Sequence, residues 1–169
     1  IKFALLILKS AFFIEIPQTL KEQFEELQQE FINFLATQSI TAEEWQNIKA
    51  NKPEVAEQEL DVFSDLVWEA VLTKTVYLEH ISANDINLFK CNSKEIIRIY
   101  IQLNDKNKSF LNEEDFKWFQ QHPLDASLDY FKASKKYSKE RNIELFELIE
   151  KGSEISKGDL FTAISQLIQ

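Results

Sequence analysis

Residues 75–81, "TVYLEHI", and residues 96–103, "IIRIYIQL", carry the pattern that decides the fold. Both are rich in β-branched and aromatic residues, and the second alternates polar and apolar side chains, which is typical of a strand. Between them lies "NLFKCN", residues 87–92, flanked by Asn, Asp and Ser residues that favour turns. The stretch predicts a small antiparallel sheet of two or three strands over about residues 75–103.

Such a sheet is marginal by itself, so helices must cover it. Amphipathic patterns predict six or seven of them, and the fold class is therefore α+β and mostly helical. Thr41 and Glu44 have the spacing of a capping box, Pro53 suits the first turn of a helix that runs to about Lys74, and Asn112 suits a helix cap. The later helices are predicted in "LDASLDYFKASKKYS" (124–138), "NIELFELIEKG" (142–152) and a final stretch that begins near Ser156.

Residues 1–16 differ from the rest because they are almost entirely apolar up to Pro17. A membrane-spanning helix needs about 20 apolar residues, and Lys9 interrupts this shorter run. A signal peptide needs a small-residue cleavage site, and none follows clearly. The preferred interpretation is a buried strand or short helix, with a non-native extension as the alternative. Residues 17–169 are predicted to form a single globular domain.

The composition narrows the classes of function. The 169 residues carry a formal charge of −9 and have a pI near 4.8, which disfavours binding to nucleic acid or to an anionic membrane. Two His and one Cys leave little for a zinc site, and two Gly leave nothing for a phosphate-cradling loop, so we expect no cofactor. The lone thiol fits a reducing, cytoplasmic location.

An acid column marks the predicted third helix. Glu57, Asp61, Asp65 and Glu69 follow one another at intervals of four residues, with Trp68 beside them. Carboxylates one turn apart are half of a divalent-metal site, and acids beside a tryptophan also suit a basic partner. A solvated helix face explains the same pattern, because like charges at this spacing repel by only a few tenths of a kcal/mol, about 0.2–0.5.

A second candidate surface is basic. It consists of Lys132, Lys135, Lys136 and Lys139, with Arg141, Tyr130 and Tyr137 nearby. The pattern imitates a nucleic-acid patch, but the net charge favours contact with an acidic protein instead. His80 and His122 are weak candidates for a general base, and Cys91 is interpreted as a half-buried thiol whose pKa a neighbouring lysine could lower.

Several short motifs carry a resemblance to a known family: "FLATQSI" (34–40), "EEW" (43–45), "KPEVAEQEL" (52–60) and "FSDLVWE" (63–69). Together they resemble a family of uncharacterised bacterial proteins, mainly from Bacteroidetes, catalogued as a domain of unknown function. The likeness spans about residues 20–82 and, more loosely, residues 148–161. It implies a small cytoplasmic protein and no catalytic residue.

The sequence therefore predicts a non-enzymatic protein-interaction module that binds through the acid column with Trp68 or through the lysines. The opposite charges of these two surfaces would also permit head-to-tail homo-oligomers. The alternative is a divalent-metal-dependent enzyme built on Asp61 and Asp65, with His80 as a possible third group. An enzyme requires these acids to converge on a concave pocket.

Overall fold

The structure is a computed structural model that describes the backbone of residues 18–168 and the side chains of residues 27–168. In this range it is an α+β protein, which confirms the predicted class. The prediction for residues 1–16 lies outside the described residues. The helices are α1 Gln18–Thr37, α2 Ala42–Asn51, α3 Pro53–Lys74, α4 Glu113–Gln121, α5 Arg141–Glu150 and α6 Asp159–Leu167. The strands are β1 Tyr77–Ile81, β2 Asp85–Cys91, β3 Glu95–Leu103, β4 Leu128–Lys136 and β5 Glu154–Ser156.

The chain divides into two compact units, Ile1–Ala70 and Val71–Gln169. Each is described by itself, and the single domain predicted over residues 17–169 stays a prediction. Aromatic packing holds the first unit together. The ring of Phe31 lies edge-on to Trp45 and to Phe63, with centroids 5.2 and 5.0 Å apart. Such edge-to-face pairs stabilise a core beyond the area they bury.

Local capping signals set the helix starts as the sequence predicts. At α2, the Glu44 backbone N–H donates to the Thr41 hydroxyl, and the Glu44 carboxylate accepts from the Thr41 backbone N–H at 2.8 Å. At α4, the Asn112 side chain accepts from the backbone N–H groups of Glu114 and Asp115. Both caps satisfy amides that have no partner inside the helix.

The second unit is built on a five-stranded antiparallel sheet in the order β4-β3-β2-β1-β5. Strands β1, β2 and β3 lie within residues 75–103, where the sequence predicts a sheet of two or three strands. The predicted total of two or three strands is wrong, because β4 and β5 lie later in the chain and extend the sheet at its two edges.

Strand β4 corrects the helix predicted over residues 124–138. It pairs with β3 along its whole length, from Leu103 opposite Leu128 to Glu95 opposite Lys136. After Leu128 and the half-buried Tyr130, every residue of β4 is exposed, so the strand has no alternating burial pattern to reveal it. Pairing with a buried central strand overrides the helical propensity of its lysines and alanine.

The two faces of this sheet differ in chemistry. The apolar face carries Ile86 and Leu88 of β2 opposite Ile101 and Ile99 of β3, and all four are at most 1% exposed. Helices α4 and α6 cover this face, and a single core cluster joins them to it. That cluster includes Phe110, Phe119, Leu128, Phe161 and Ile164.

Alternate residues of the same strands form the polar face. Arg98 and Tyr100 of β3 lie opposite Phe89 and Asn87 of β2, and Phe131 of β4 lies opposite Tyr100. Helix α5 lies against part of this face. Arg98 and Phe131 of this face are exposed in the described structure, Phe131 to 57%.

Helix α6 begins at a glycine that the packing requires. Gly158 has φ +82°, and a Cβ atom at this position would lie 2.4 Å from the ring of Tyr77. Only glycine combines this left-handed backbone with so close an approach. The final helix starts at Asp159 rather than near Ser156, the start that the sequence predicts. Ser156 is instead the last residue of β5.

Candidate functional site

The acid column lies on α3. Glu57, Asp65 and Glu69 are exposed, whereas Asp61 and Trp68 are half-buried. Within residues 27–168, no group of three or more His, Cys, Asp or Glu side chains is placed to hold a metal ion. The acids therefore do not assemble a metal centre with other described side chains.

Three of the four lysines of the predicted basic surface contact other side chains of the same chain. Lys135 forms an ion pair of 2.6 Å with Glu144, and Lys139 pairs with Glu147, both acids lying on α5. Lys132, on the apolar side of β4, donates to the Ser165 hydroxyl at 3.1 Å. Lys136 is exposed at the end of the strand.

Glu144 is the centre of this network. Besides Lys135, it accepts hydrogen bonds from the Ser138 backbone N–H, from the Ser138 hydroxyl at 2.9 Å and from the Lys139 backbone N–H at 3.1 Å. The hydrogen bond from Lys135 is the largest of the causes that hold the pKa of Glu144 down to about 2. This carboxylate fixes the turn between β4 and α5.

Arg141 has an equally internal role. Its guanidinium donates to the backbone carbonyls of Leu72 at 2.8 Å, of Cys91 at 3.0 Å and of Thr75, and Nε reaches the carbonyl of Asn92 at 3.2 Å. These hydrogen bonds of Arg141 link the end of α3 to the end of β2. Arg141 takes no part in a surface patch.

The remaining sequence candidates are placed as follows. Cys91 is buried rather than half-buried, and burial raises the pKa of its thiol to about 11, which is opposite to the lowering that a neighbouring lysine could produce. His122 is exposed and stacks on Trp118, with ring centroids 6.0 Å apart. His80 lies on the polar face of β1, where it lines a cleft.

That cleft, which we call the Arg98 cleft, lies between the polar face and α5 and has a volume of about 580 Å³. Its apolar floor and wall include Phe89, Ile96 and Leu148. Its polar lining consists of His80, Asn87, Arg98, Lys135, Glu144, Glu147, Lys151 and Ser153. A concave site of this size, with apolar side chains beside convergent polar groups, suits the binding of a ligand group.

The side chain of Arg98 is held in place from three sides. Its Cζ atom lies 5.2 Å from the ring centroid of Tyr100 and 6.0 Å from that of Phe89. Its Nε and Nη2 atoms donate to Oδ1 of Asn87, with Nε at 2.9 Å. The Asn87 amide is oriented in turn by its hydrogen bond of 2.8 Å to Asp85.

Arg98 nevertheless makes no ion pair with any residue in the described part of the chain. Two other cleft residues have unused hydrogen-bonding capacity. The Ser153 side chain is only 6% exposed, and no described residue hydrogen-bonds to its hydroxyl or to the ring of His80. Both groups can therefore accept or donate a hydrogen bond to a ligand that enters the cleft.

The charges lining the cleft do not cancel. Glu144 and Glu147 are paired with Lys135 and Lys139, whereas Arg98 and Lys151 have no acidic partner among the described residues.

The net charge of −9 is also unevenly distributed along the sequence. Residues 1–70 carry five lysines and thirteen acids, and residues 71–169 carry fourteen basic and fifteen acidic residues.

Sequence reasoning missed Arg98, although a signal was present. In "IIRIYIQL", Arg98, Tyr100 and Gln102 alternate with isoleucines, so they must share the face opposite the core. An arginine and a tyrosine neighbouring each other on one face of a central strand indicate a surface for binding. Ser153 gives no comparable signal, because its burial depends on the long-range pairing of β1 with β5.

The described part of the protein is thus an α+β structure with a cleft beside Arg98 on one face of its sheet. A family model matches residues 17–169, and the chain belongs to this family, which is described as a family of unknown function (DUF6495). This confirms the resemblance to a domain of unknown function. No curated protein and no solved structure matches the chain. Among the described residues, no helix is both long and apolar enough to span a bilayer.

Proposed function

We propose that the protein is a non-enzymatic protein-interaction module whose contact surface is the polar face of the sheet. The observation that carries this proposal is Arg98, a fixed cation without an acidic partner in the described structure, which packs on Tyr100, whose ring in turn contacts the exposed ring of Phe131. The side chains that dominate binding at protein interfaces are most often arginine and aromatic residues surrounded by weaker contacts.

The geometry of the aromatic residues supports the same surface. Tyr100 and Phe131 are in contact, with ring centroids 6.0 Å apart. The Arg98 guanidinium packs on the Tyr100 ring, with Cζ 5.2 Å from the ring centroid. The three side chains form a continuous strip across β3 and β4. Because the strip rests on a hydrogen-bonded sheet, a partner meets side chains that lose little conformational freedom on binding.

The charge of this surface differs from that of the predicted acid column. A cationic cleft beside exposed aromatic groups suits an acidic protein segment, which was also the partner class expected for the lysines. The acidic composition and the single buried thiol support a cytoplasmic location for this interaction. A second copy of the chain is one candidate for this acidic partner. Its acid column, Glu57, Asp61, Asp65 and Glu69, would supply the negative charge.

The proposal is tested by quantitative affinity purification from the organism of origin. The variant Arg98→Gln/Phe131→Ser removes the cation and the apolar ring of the polar face. A matched control, Lys117→Gln/Leu111→Ser, makes the same chemical changes at two exposed residues on and beside α4, the helix that covers the apolar face. Sedimentation velocity of the same three proteins measures self-association.

We expect a partner, or the chain itself, to associate with the wild type and with the control but not with the polar-face variant. Equal recovery with all three proteins would exclude the polar face as the contact surface. The absence of any stoichiometric partner, together with a monomeric wild type, would contradict an interaction module.

A further inference from the structure

We infer that the Arg98 cleft binds a carboxylate group of the partner. This inference rests on the proposed function, because it names the chemistry of the group that enters the contact surface. The carboxylate is either a chain terminus or an Asp or Glu side chain, and both present the same planar pair of oxygens.

The orientation of the guanidinium supports a carboxylate in particular. Asn87 occupies the edge formed by Nε and Nη2. The edge formed by Nη1 and Nη2 keeps its N–H donors, and no described residue uses them. Two parallel N–H groups on one edge match the two oxygens of a carboxylate in a bidentate pair, which is both stronger and more directional than a single hydrogen bond.

The surroundings of Arg98 favour a carboxylate attached to an apolar body. Phe89 is 8% exposed and Ile96 is 4% exposed, and both line the cleft together with Leu148. The volume of about 580 Å³ is within the range of sites that accept a small ligand or one or two side chains. A free inorganic anion would leave this apolar lining unused.

Ser153 supplies a second polar contact. Its hydroxyl lines the same cleft, has no hydrogen-bond partner among the described residues and belongs to a side chain that is more than nine-tenths buried. Lys151 lies two residues away and adds a positive charge that is not paired within the described structure. The cleft therefore offers an anion one fixed cation, one further positive charge and an unused hydroxyl, while its two acids, Glu144 and Glu147, are paired with Lys135 and Lys139.

The experiment uses the full chain and two probes of the same shape. Phenylacetate carries a carboxylate on an aromatic ring, and phenylacetamide replaces that carboxylate with a neutral amide. Each is titrated into ¹⁵N-labelled protein while amide chemical shifts are followed. We expect saturable shifts with phenylacetate at amides of β2, β3 and α5, and binding of phenylacetamide that is weaker by about tenfold or more.

Variants assign the effect to residues. Arg98→Gln should weaken phenylacetate binding by about tenfold or more, and Ser153→Ala by a smaller factor of about threefold. The control Lys117→Gln should leave the affinity unchanged. Equal binding of the two probes, no saturable shift with phenylacetate, or unchanged affinity in Arg98→Gln would each overturn the inference. The amide spectra show directly whether each variant is folded.

Three peptides of the same apolar sequence separate the two sources of the carboxylate. One has a free C-terminus, one has an amidated C-terminus and a glutamate, and one has neither charge. Tighter binding of the first identifies a chain terminus, and tighter binding of the second identifies an acidic side chain. Equal binding of all three contradicts carboxylate recognition.

The failure of this inference is distinguishable from failure of the proposed function. If the probes do not bind but Arg98→Gln/Phe131→Ser still loses its partner, the polar face is an interface that recognises another group. If phenylacetate binds through Arg98 but no protein partner depends on this face, the cleft is a small-molecule site and the proposed function is wrong.

Discussion

Phe119 and Phe131 lie on opposite sides of one sheet, and their side chains are 1% and 57% exposed. Phe119 projects from α4 onto the apolar face, where its ring contacts those of Phe110 and Phe116. Phe131 projects from the polar face next to Tyr100. The two faces use alternate residues of the same central strands, so one face can supply the stability of the fold while the other stays available for contact.

The two arginines of the chain repeat this division. Arg141 donates to four backbone carbonyls and to Oδ1 of Asn142, whereas Arg98 donates to one side-chain oxygen and keeps donors that no described residue uses. The same residue type is therefore a structural crosslink in one place and a candidate binding group in the other. Five substitutions test the contrast between structural and available groups, and the predictions run from the largest expected loss of stability to the smallest.

Phe119→Ala should destabilise the protein most. Removing a fully buried aromatic ring leaves a cavity in the apolar face, and such changes cost about 3–5 kcal/mol of unfolding free energy. Urea denaturation followed by circular dichroism measures the loss. A loss below about 1 kcal/mol, close to that of a substitution at an exposed position, would show that the apolar face is not the main core of the sheet unit.

Arg141→Gln should cost about 2–3 kcal/mol, because the carbonyls of Leu72, Thr75 and Cys91 lose a charged donor that glutamine is too short to replace. Amide hydrogen exchange should show the largest increase at the end of β2. Arg98→Gln is the matched comparison and should cost less than about 1 kcal/mol. Equal losses of unfolding free energy in Arg141→Gln and Arg98→Gln would contradict the assignment of Arg141 to structure and of Arg98 to binding.

Glu144→Gln should cost about 1–2 kcal/mol at neutral pH, since a neutral amide accepts weaker hydrogen bonds from Lys135 and from the Ser138 and Lys139 amides. Because the native pKa of Glu144 is lowered to about 2 from an ordinary value of 4.5, its stabilising effect is fully present above about pH 4.5. It is lost as the pH falls from there toward 2. The difference in unfolding free energy between wild type and variant, measured against pH, should shrink over that window. A constant difference would contradict the role given to this carboxylate.

Phe131→Ala should change the unfolding free energy least, by about 0.5 kcal/mol or less, because most of the ring is already in water. The same variant should weaken partner binding clearly. Stability and binding are measured on one protein preparation, by denaturation and by affinity purification. A large loss of stability would place Phe131 in the core of the fold and weaken the case for an open face.

The parts of the fold that depend on residues close together in the sequence could be predicted from the sequence. The caps at Thr41 and Asn112 are local, and the alternation of β3 is visible because its apolar residues are buried on one face. Strand β4 could not be predicted, since it is exposed on both faces after its first residues and owes its conformation to β3. Strand β5 has three residues, too few for any periodicity.

The candidate site was harder to predict than the fold. Charge runs drew attention to the lysines, but the acids that pair with Lys135 and Lys139 lie on α5 and are brought close only by the turn after β4. Arg98 stands alone in the sequence among isoleucines. Its importance comes from Asn87, eleven residues earlier, and from a cleft that α5 completes.

The position of β4 at the edge of the sheet has a further consequence, for the solubility of the chain. An edge strand presents unpaired backbone N–H and C=O groups and can template the addition of a strand from another molecule. Lys132 and Lys136 project from one side of this edge, and two copies that approached edge to edge would bring these positive charges together. The lysines thus act as a barrier to polymerisation. Acetylation of their amino groups, which removes the charge, would lower that barrier while leaving the sheet itself intact.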